Sequence, residues 1–79
     1  MTEMTVTPRQ WDVLHELLKD GADNETIARR LGIARDTVKS HVQQMLVGAD
    51  VRNRTALVVL VIGGSLTVRV QSGVPGNPL

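Results

Sequence analysis

Between residues 24 and 47, in the run NETIARRLGIARDTVKSHVQQMLV, two helical patterns of apolar residues meet at one glycine, and this junction constrains the fold more than any other feature. Ile27, Ala28 and Leu31 fall on one face of a helix. Gly32 follows directly, where a helix ends most easily because glycine enters the left-handed region without a Cβ clash. Ile33 packs back on the end so made. From Arg35 or Asp36 a second pattern runs through Val38, Val42, Met45 and Leu46 at three- and four-residue steps. Two short helices on either side of a tight turn make a helix-turn-helix.

At about 100° per residue, the apolar side chains of the second helix gather into one sector. Opposite them lie Asp36, Lys39, Ser40, Gln43, Gln44 and Val47. A solvated helix face usually carries long charged side chains in i, i+4 pairs, whereas this face is short or amide-bearing with a single lysine. Lysine donates to guanine, glutamine pairs with adenine and serine serves either, so the face suits base edges. Taken alone, it is equally consistent with a plain solvated surface. The charges add to the first reading. Residues 1–28 hold two basic against six acidic side chains, and residues 29–54 hold six basic against two acidic ones. The second helix lies in the basic half, as a phosphate-facing surface requires. Chance clustering in a short chain is the bland explanation.

With 79 residues there is room for one small core, which is marginal alone and is helped by association. The chain has no cysteine, which excludes disulfides, thiolate zinc sites and a cysteine nucleophile. The longest apolar run, Ala56–Ile62, is too short for a membrane span, and a cytoplasmic protein is expected. His15 and His41 stand far apart without a carboxylate pattern for metal ligation, and no glycine-rich phosphate loop is present. Neither an enzyme nor a bound cofactor or small-molecule ligand is expected.

Towards the N-terminus, Thr7-Pro8-Arg9-Gln10 reads as a helix start: threonine as N-cap, proline first in the helix, and glutamine completing a capping box. Trp11, Leu14, Leu17 and Leu18 then form an apolar stripe that predicts a helix to about Lys19, with Trp11, the only aromatic residue, in a core or half-buried role rather than stacked on a ligand. Residues 1–6 are expected to be a flexible lead-in. Asp23 is the expected N-cap of the next helix, and Asn53 that of a fourth. The fourth segment, ALVVLVI, is apolar on all sides and rich in β-branched residues, so VVLVI-GG-SLTVRV also fits a hairpin of two strands. Leu66, Val68 and Val70 alternate with polar residues in a strand-like tail, and SGVPGNPL at the end is turn-forming.

The run ETIARRLGIARDTVKSHVQQML followed by VRNRT resembles the DNA-binding domain of the LuxR/GerE family of bacterial transcription regulators. The likeness extends back to TPRQWDVL and forward to about residue 62, covering roughly 55 of the 79 residues. The order and spacing of IA-x-x-L-G-I, TVK-x-HV and V-x-NRT make it more specific than a helix-turn-helix pattern alone. It implies an all-α, four-helix domain over residues 7–62, with a recognition helix at about 35–47; the strand-like or disordered tail over 63–79 is explained by no part of the family. In the fourth segment it favours a helix that pairs with its copy in a second subunit, through Val58, Val59, Val61 and Ile62.

The positions matching the family's base-contacting residues are Lys39, Ser40 and Gln43. Those matching contacts to the DNA backbone are Asn24, Thr26, Arg35, Thr37 and Arg54. The implied partners are double-stranded DNA, a second copy of the chain, and RNA polymerase or another regulator. Family members are often joined to a receiver or ligand-sensing domain; none is expected here, so activity would be set by amount, partner or promoter competition.

Four positions depart from the family pattern. Thr26 stands where an acidic residue usually closes a capping box, and Ala34 where a serine usually caps the recognition helix. Gly48 and Ala49 replace a lysine and a leucine. With Asp36 on the reading face, these departures leave room for a second reading: an adaptor or antagonist that keeps the fold and binds another regulator or RNA polymerase.

Overall fold

The computed structural model describes residues 2–71, so the turn-forming stretch expected from residue 72 onward lies outside the described residues. Six elements follow in order: strand β1 (Thr2–Val6), helices α1 (Pro8–Asp20), α2 (Asn24–Leu31), α3 (Arg35–Ala49) and α4 (Arg54–Ile62), and strand β2 (Leu66–Val70). The helical domain is thus all-α and four-helical, with a two-stranded sheet beside it.

The helix ends are set by local chemistry. Thr7 caps α1 through a complete capping box with Gln10, and Pro8 occupies the first turn, where no N–H is needed. Asp23 accepts from Thr26 N–H at 2.8 Å to start α2, and Asn53 accepts from Ala56 N–H at 2.8 Å to start α4. Gly32 closes α2 in the left-handed conformation, φ 69° and ψ 34°, and Ile33 N–H reaches back to the Ala28 carbonyl at 3.0 Å. For the segment that could have been a hairpin, the capped helix is what forms: Leu57 is fully buried, and β2 pairs elsewhere.

Every element contributes to one core. Val13, Leu14 and Leu17 of α1 meet Ile27 and Ala28 of α2, Val38, Val42, Met45 and Ala49 of α3, Leu57 of α4, and Met4, Val6 and Leu66 from the strands. Among the described residues no polar or charged side chain is buried. Trp11 is half-buried against this core, its ring 6.0 Å from that of His15.

The lead-in over residues 1–6, expected to be flexible, is corrected: from Thr2 on it is a strand paired in parallel with β2, from Thr2 opposite Leu66 to Val6 opposite Val70. The physical reason is shared burial. Met4 and Val6 alternate inward at 5% and 1% exposure, and Leu66 opposite is 3% exposed. Neither strand can satisfy its backbone alone, and pairing the two covers the end of α3. Met4 sits over Gly48, where an added Cβ would lie 3.4 Å from the Met4 sulfur.

Candidate nucleic-acid interface

The turn at Gly32 fixes α3 with one face in the core and one in solvent. Val38, Val42, Met45 and Ala49 are buried, and at 100° per residue the opposite side carries Asp36, Ser40, Gln43, Gln44 and Val47, all exposed. The three expected base-contacting residues, Lys39, Ser40 and Gln43, are all exposed. Ser40 and Gln43 line a shallow depression of about 310 Å³ with Gln44 and Val47. Val47 is 81% exposed, unusually open for an apolar side chain. Arg35 and Thr37 are exposed at the first turn of α3, which begins at Ala34 without a side-chain cap.

The other expected backbone contacts sit together at the start of α2. Arg54 donates from Nη1 to Asn24 Oδ1 at 2.7 Å and from Nη2 to the Ala22 carbonyl at 2.8 Å, joining the first turns of α2 and α4. Thr26 gives its N–H to the Asp23 cap. That bond holds the Asp23 carboxyl below its ordinary value, the Thr26 N–H being the main cause.

Ion pairing sorts the cations. Arg9 pairs with Asp12, Lys19 with Glu16, Arg29 with Glu25 and Arg69 with Glu3. Arg30 reaches Glu16 at 3.0 Å and Asp20 at 2.9 Å, and its guanidinium holds both carboxyls below their ordinary values. Among the described residues the remaining lysines and arginines, Arg35, Lys39, Arg52 and Arg54, have no carboxylate within ion-pair distance, and all four fall in the stretch that runs from the start of α3 to the start of α4. Arg52, just beyond the end of α3, was not among the expected contacts; its only sequence signal was the excess of basic charge over residues 29–54. The pairing of Gln44 was likewise not visible in the sequence: Gln10 Nε2 donates to Gln44 Oε1 at 2.7 Å, tying α1 to the exposed side of α3.

The four apolar residues expected at a subunit interface divide. Val59 and Ile62 are 62% and 67% exposed. Val58 and Val61 are half-buried and packed against the core, and Val58 shares a cleft with Leu17 and Leu18 of α1.

A family model described as bacterial regulatory proteins, luxR family (GerE), matches residues 4–61. The chain is 44% identical over 55 residues to the nitrate/nitrite response regulator protein NarP of Escherichia coli (strain K12), across 70% of this chain and 25% of that protein. It is 43% identical over 56 residues to the nitrate/nitrite response regulator protein NarL of the same organism, across 71% of this chain and 26% of that protein. To the monoamine regulon transcriptional regulator of Klebsiella aerogenes it is 43% identical over 42 residues, across 53% of this chain and 18% of that protein. The chain therefore spans about a quarter of the length of the two Escherichia coli relatives. No solved structure matches it.

Proposed function

Because this chain belongs to the luxR family of bacterial regulatory proteins, we propose that it is a transcription regulator that binds double-stranded DNA and reads the major groove with α3. The observation that carries this reading is the distribution of uncompensated charge. Every described lysine and arginine outside residues 35–54 has a carboxylate partner, and the four without one flank or occupy the exposed helix. Cations left without a carboxylate partner are available to displace the counterions of a phosphate backbone. Lys39, Ser40 and Gln43 then meet base edges, while Arg35, Thr37, Asn24, Thr26 and Arg54 meet the backbone. For Arg54 the bonds to Asn24 and Ala22 hold the guanidinium at the start of α2, so its contribution combines positioning with charge.

Two copies bind together in this reading, through the exposed Val59 and Ile62 of α4, and read half-sites related by a two-fold axis. The experiment is selection from a random duplex pool with purified protein at moderate salt. A two-fold-related motif is expected, and Lys39→Ala and Gln43→Ala should each lose about 1 to 3 kcal/mol of discrimination at one position. Enrichment patterns left unchanged by both substitutions would remove the base-reading assignment.

The second reading, an adaptor or antagonist that binds another regulator or RNA polymerase, is favoured by Val47, an apolar side chain open to solvent in the middle of the face, and by Asp36 on the same face. It predicts no retention of duplex DNA at all.

A further inference from the structure

The side-chain amide of Gln10 is oriented by a group that has no alternative. The backbone N–H of Thr7 can only donate, and it donates to Gln10 Oε1 at 2.9 Å, while Gln10 N–H donates to Thr7 Oγ1 at 3.1 Å. The capping box of α1 therefore fixes which end of the Gln10 amide is oxygen. Its NH₂ end is left to face α3, where Nε2 donates to Gln44 Oε1 at 2.7 Å. Gln44 is thereby oriented as well. Its oxygen is engaged toward α1, and its Nε2, on an exposed residue beside Ser40, Gln43 and Val47, has no partner among the described residues.

A freely rotating glutamine presents acceptor and donor together, and pairs with adenine through both. In Gln44 the bond from Gln10 holds Oε1 on the α1 side and leaves Nε2 as the outward end of the amide. We propose that Gln44 is a DNA-contacting residue whose amide, oriented by Gln10, turns its N–H donors to the duplex and so favours hydrogen-bond acceptors: N7 or O6 of guanine, O4 of thymine or N7 of adenine in the groove, or a phosphate oxygen. The proposal rests on the reading of α3 as the DNA-facing helix. It gives the capping box of α1, otherwise a structural device, a second consequence at the interface.

Gln10→Glu tests the relay from a distance. A carboxylate accepts from Thr7 N–H as the amide oxygen does, so the capping box persists. Its second oxygen can only accept, and Gln44 must then turn Nε2 toward residue 10 and present Oε1 outward. Gln44→Met keeps the size of the side chain and removes the donor without adding charge. The full chain and both variants are taken through the same random-duplex selection, with helical content and thermal midpoint measured in parallel.

The expected result is that both variants fold as the parent does and lose roughly three- to tenfold in discrimination at the same single position of each half-site. If the acceptor is a phosphate, Gln44→Met instead weakens binding to all sequences by the same factor and alters no position, and Gln10→Glu weakens it at least as much. Two results overturn the proposal: Gln44→Met with the parent's affinity and preferences, or Gln44→Met altered while Gln10→Glu binds as the parent does. Failure of the parent chain to retain any DNA would remove the DNA reading itself, and this inference with it.

Discussion

Ala34 holds the backbone of a helix N-cap, φ −71° and ψ 147°, but has no side-chain oxygen to accept from the first turn of α3. Ala34→Ser is therefore expected to stabilise the domain by about 1 kcal/mol, since the conformation is already the one a capping serine adopts. Chemical denaturation reads this directly, and an unchanged midpoint would mean that solvent already satisfies those N–H groups. At this scale the sequence was informative wherever a residue's own chemistry fixes its conformation. Thr7, Asp23 and Asn53 cap the helices they were expected to cap, and Gly32 takes the left-handed turn. Asp50 gave no such signal. It ends α3 in the left-handed region at φ 57°, the one non-glycine residue to do so among those described, and the helix runs on to Ala49 rather than stopping near Val47. Aspartate tolerates that region without requiring it, so its presence does not mark a helix end.

At the scale of elements, two joints hold the helix-turn-helix in place. The first is β1 against α3. Gly48 is a poor helix former, and an added methyl there would meet only the flexible Met4 side chain, at 3.4 Å from sulfur. Gly48→Ala is expected to stabilise the chain by about 0.5–1 kcal/mol. A loss of stability instead would mean that Met4 has no freedom to yield. The second joint is Arg30 of α2 against Glu16 and Asp20 of α1. Arg30 keeps both carboxyls below their ordinary values of 4.5 and 3.8. A depressed carboxyl contributes stability that is fully present above its ordinary value and lost as pH falls through the lowered one. The domain should thus lose stability below pH 4.5, continuing below 3.8, and Arg30→Met should flatten that acid limb while lowering stability near neutrality. Urea denaturation across this pH range checks both slopes. Neither joint was legible as a contact. Glu16 and Asp20 lie 14 and 10 residues from Arg30 in the sequence, outside any local helical spacing, and a five-residue strand is too short to be recognised without its partner.

For the whole molecule, the question is what covers α4. Leu57 alone of that helix is fully buried, while Val59 and Ile62 stand open in a chain whose small core leaves little stability in reserve. If two copies associate there, Val59→Glu with Ile62→Glu should leave a folded monomer by sedimentation and weaken binding to a two-fold-related site far more than to a half-site. A parent chain that sediments as a monomer at high concentration, and also on DNA, would remove the dimer. By itself the sequence determined the helix-turn-helix, the first three helices, three N-caps and the apolar and polar faces of α3, because capping, left-handed glycine and 3.6-residue periodicity are local and each is written within a few residues; the fourth segment fitted a hairpin as well, and the packed structure decided for the helix. Tertiary structure alone decided that β1 pairs with β2 across the full length of the domain, that four of the nine lysines and arginines are left without carboxylate partners, and that Gln10 orients Gln44. These depend on which distant side chains the packed core brings within hydrogen-bonding reach, and no local pattern encodes that distance.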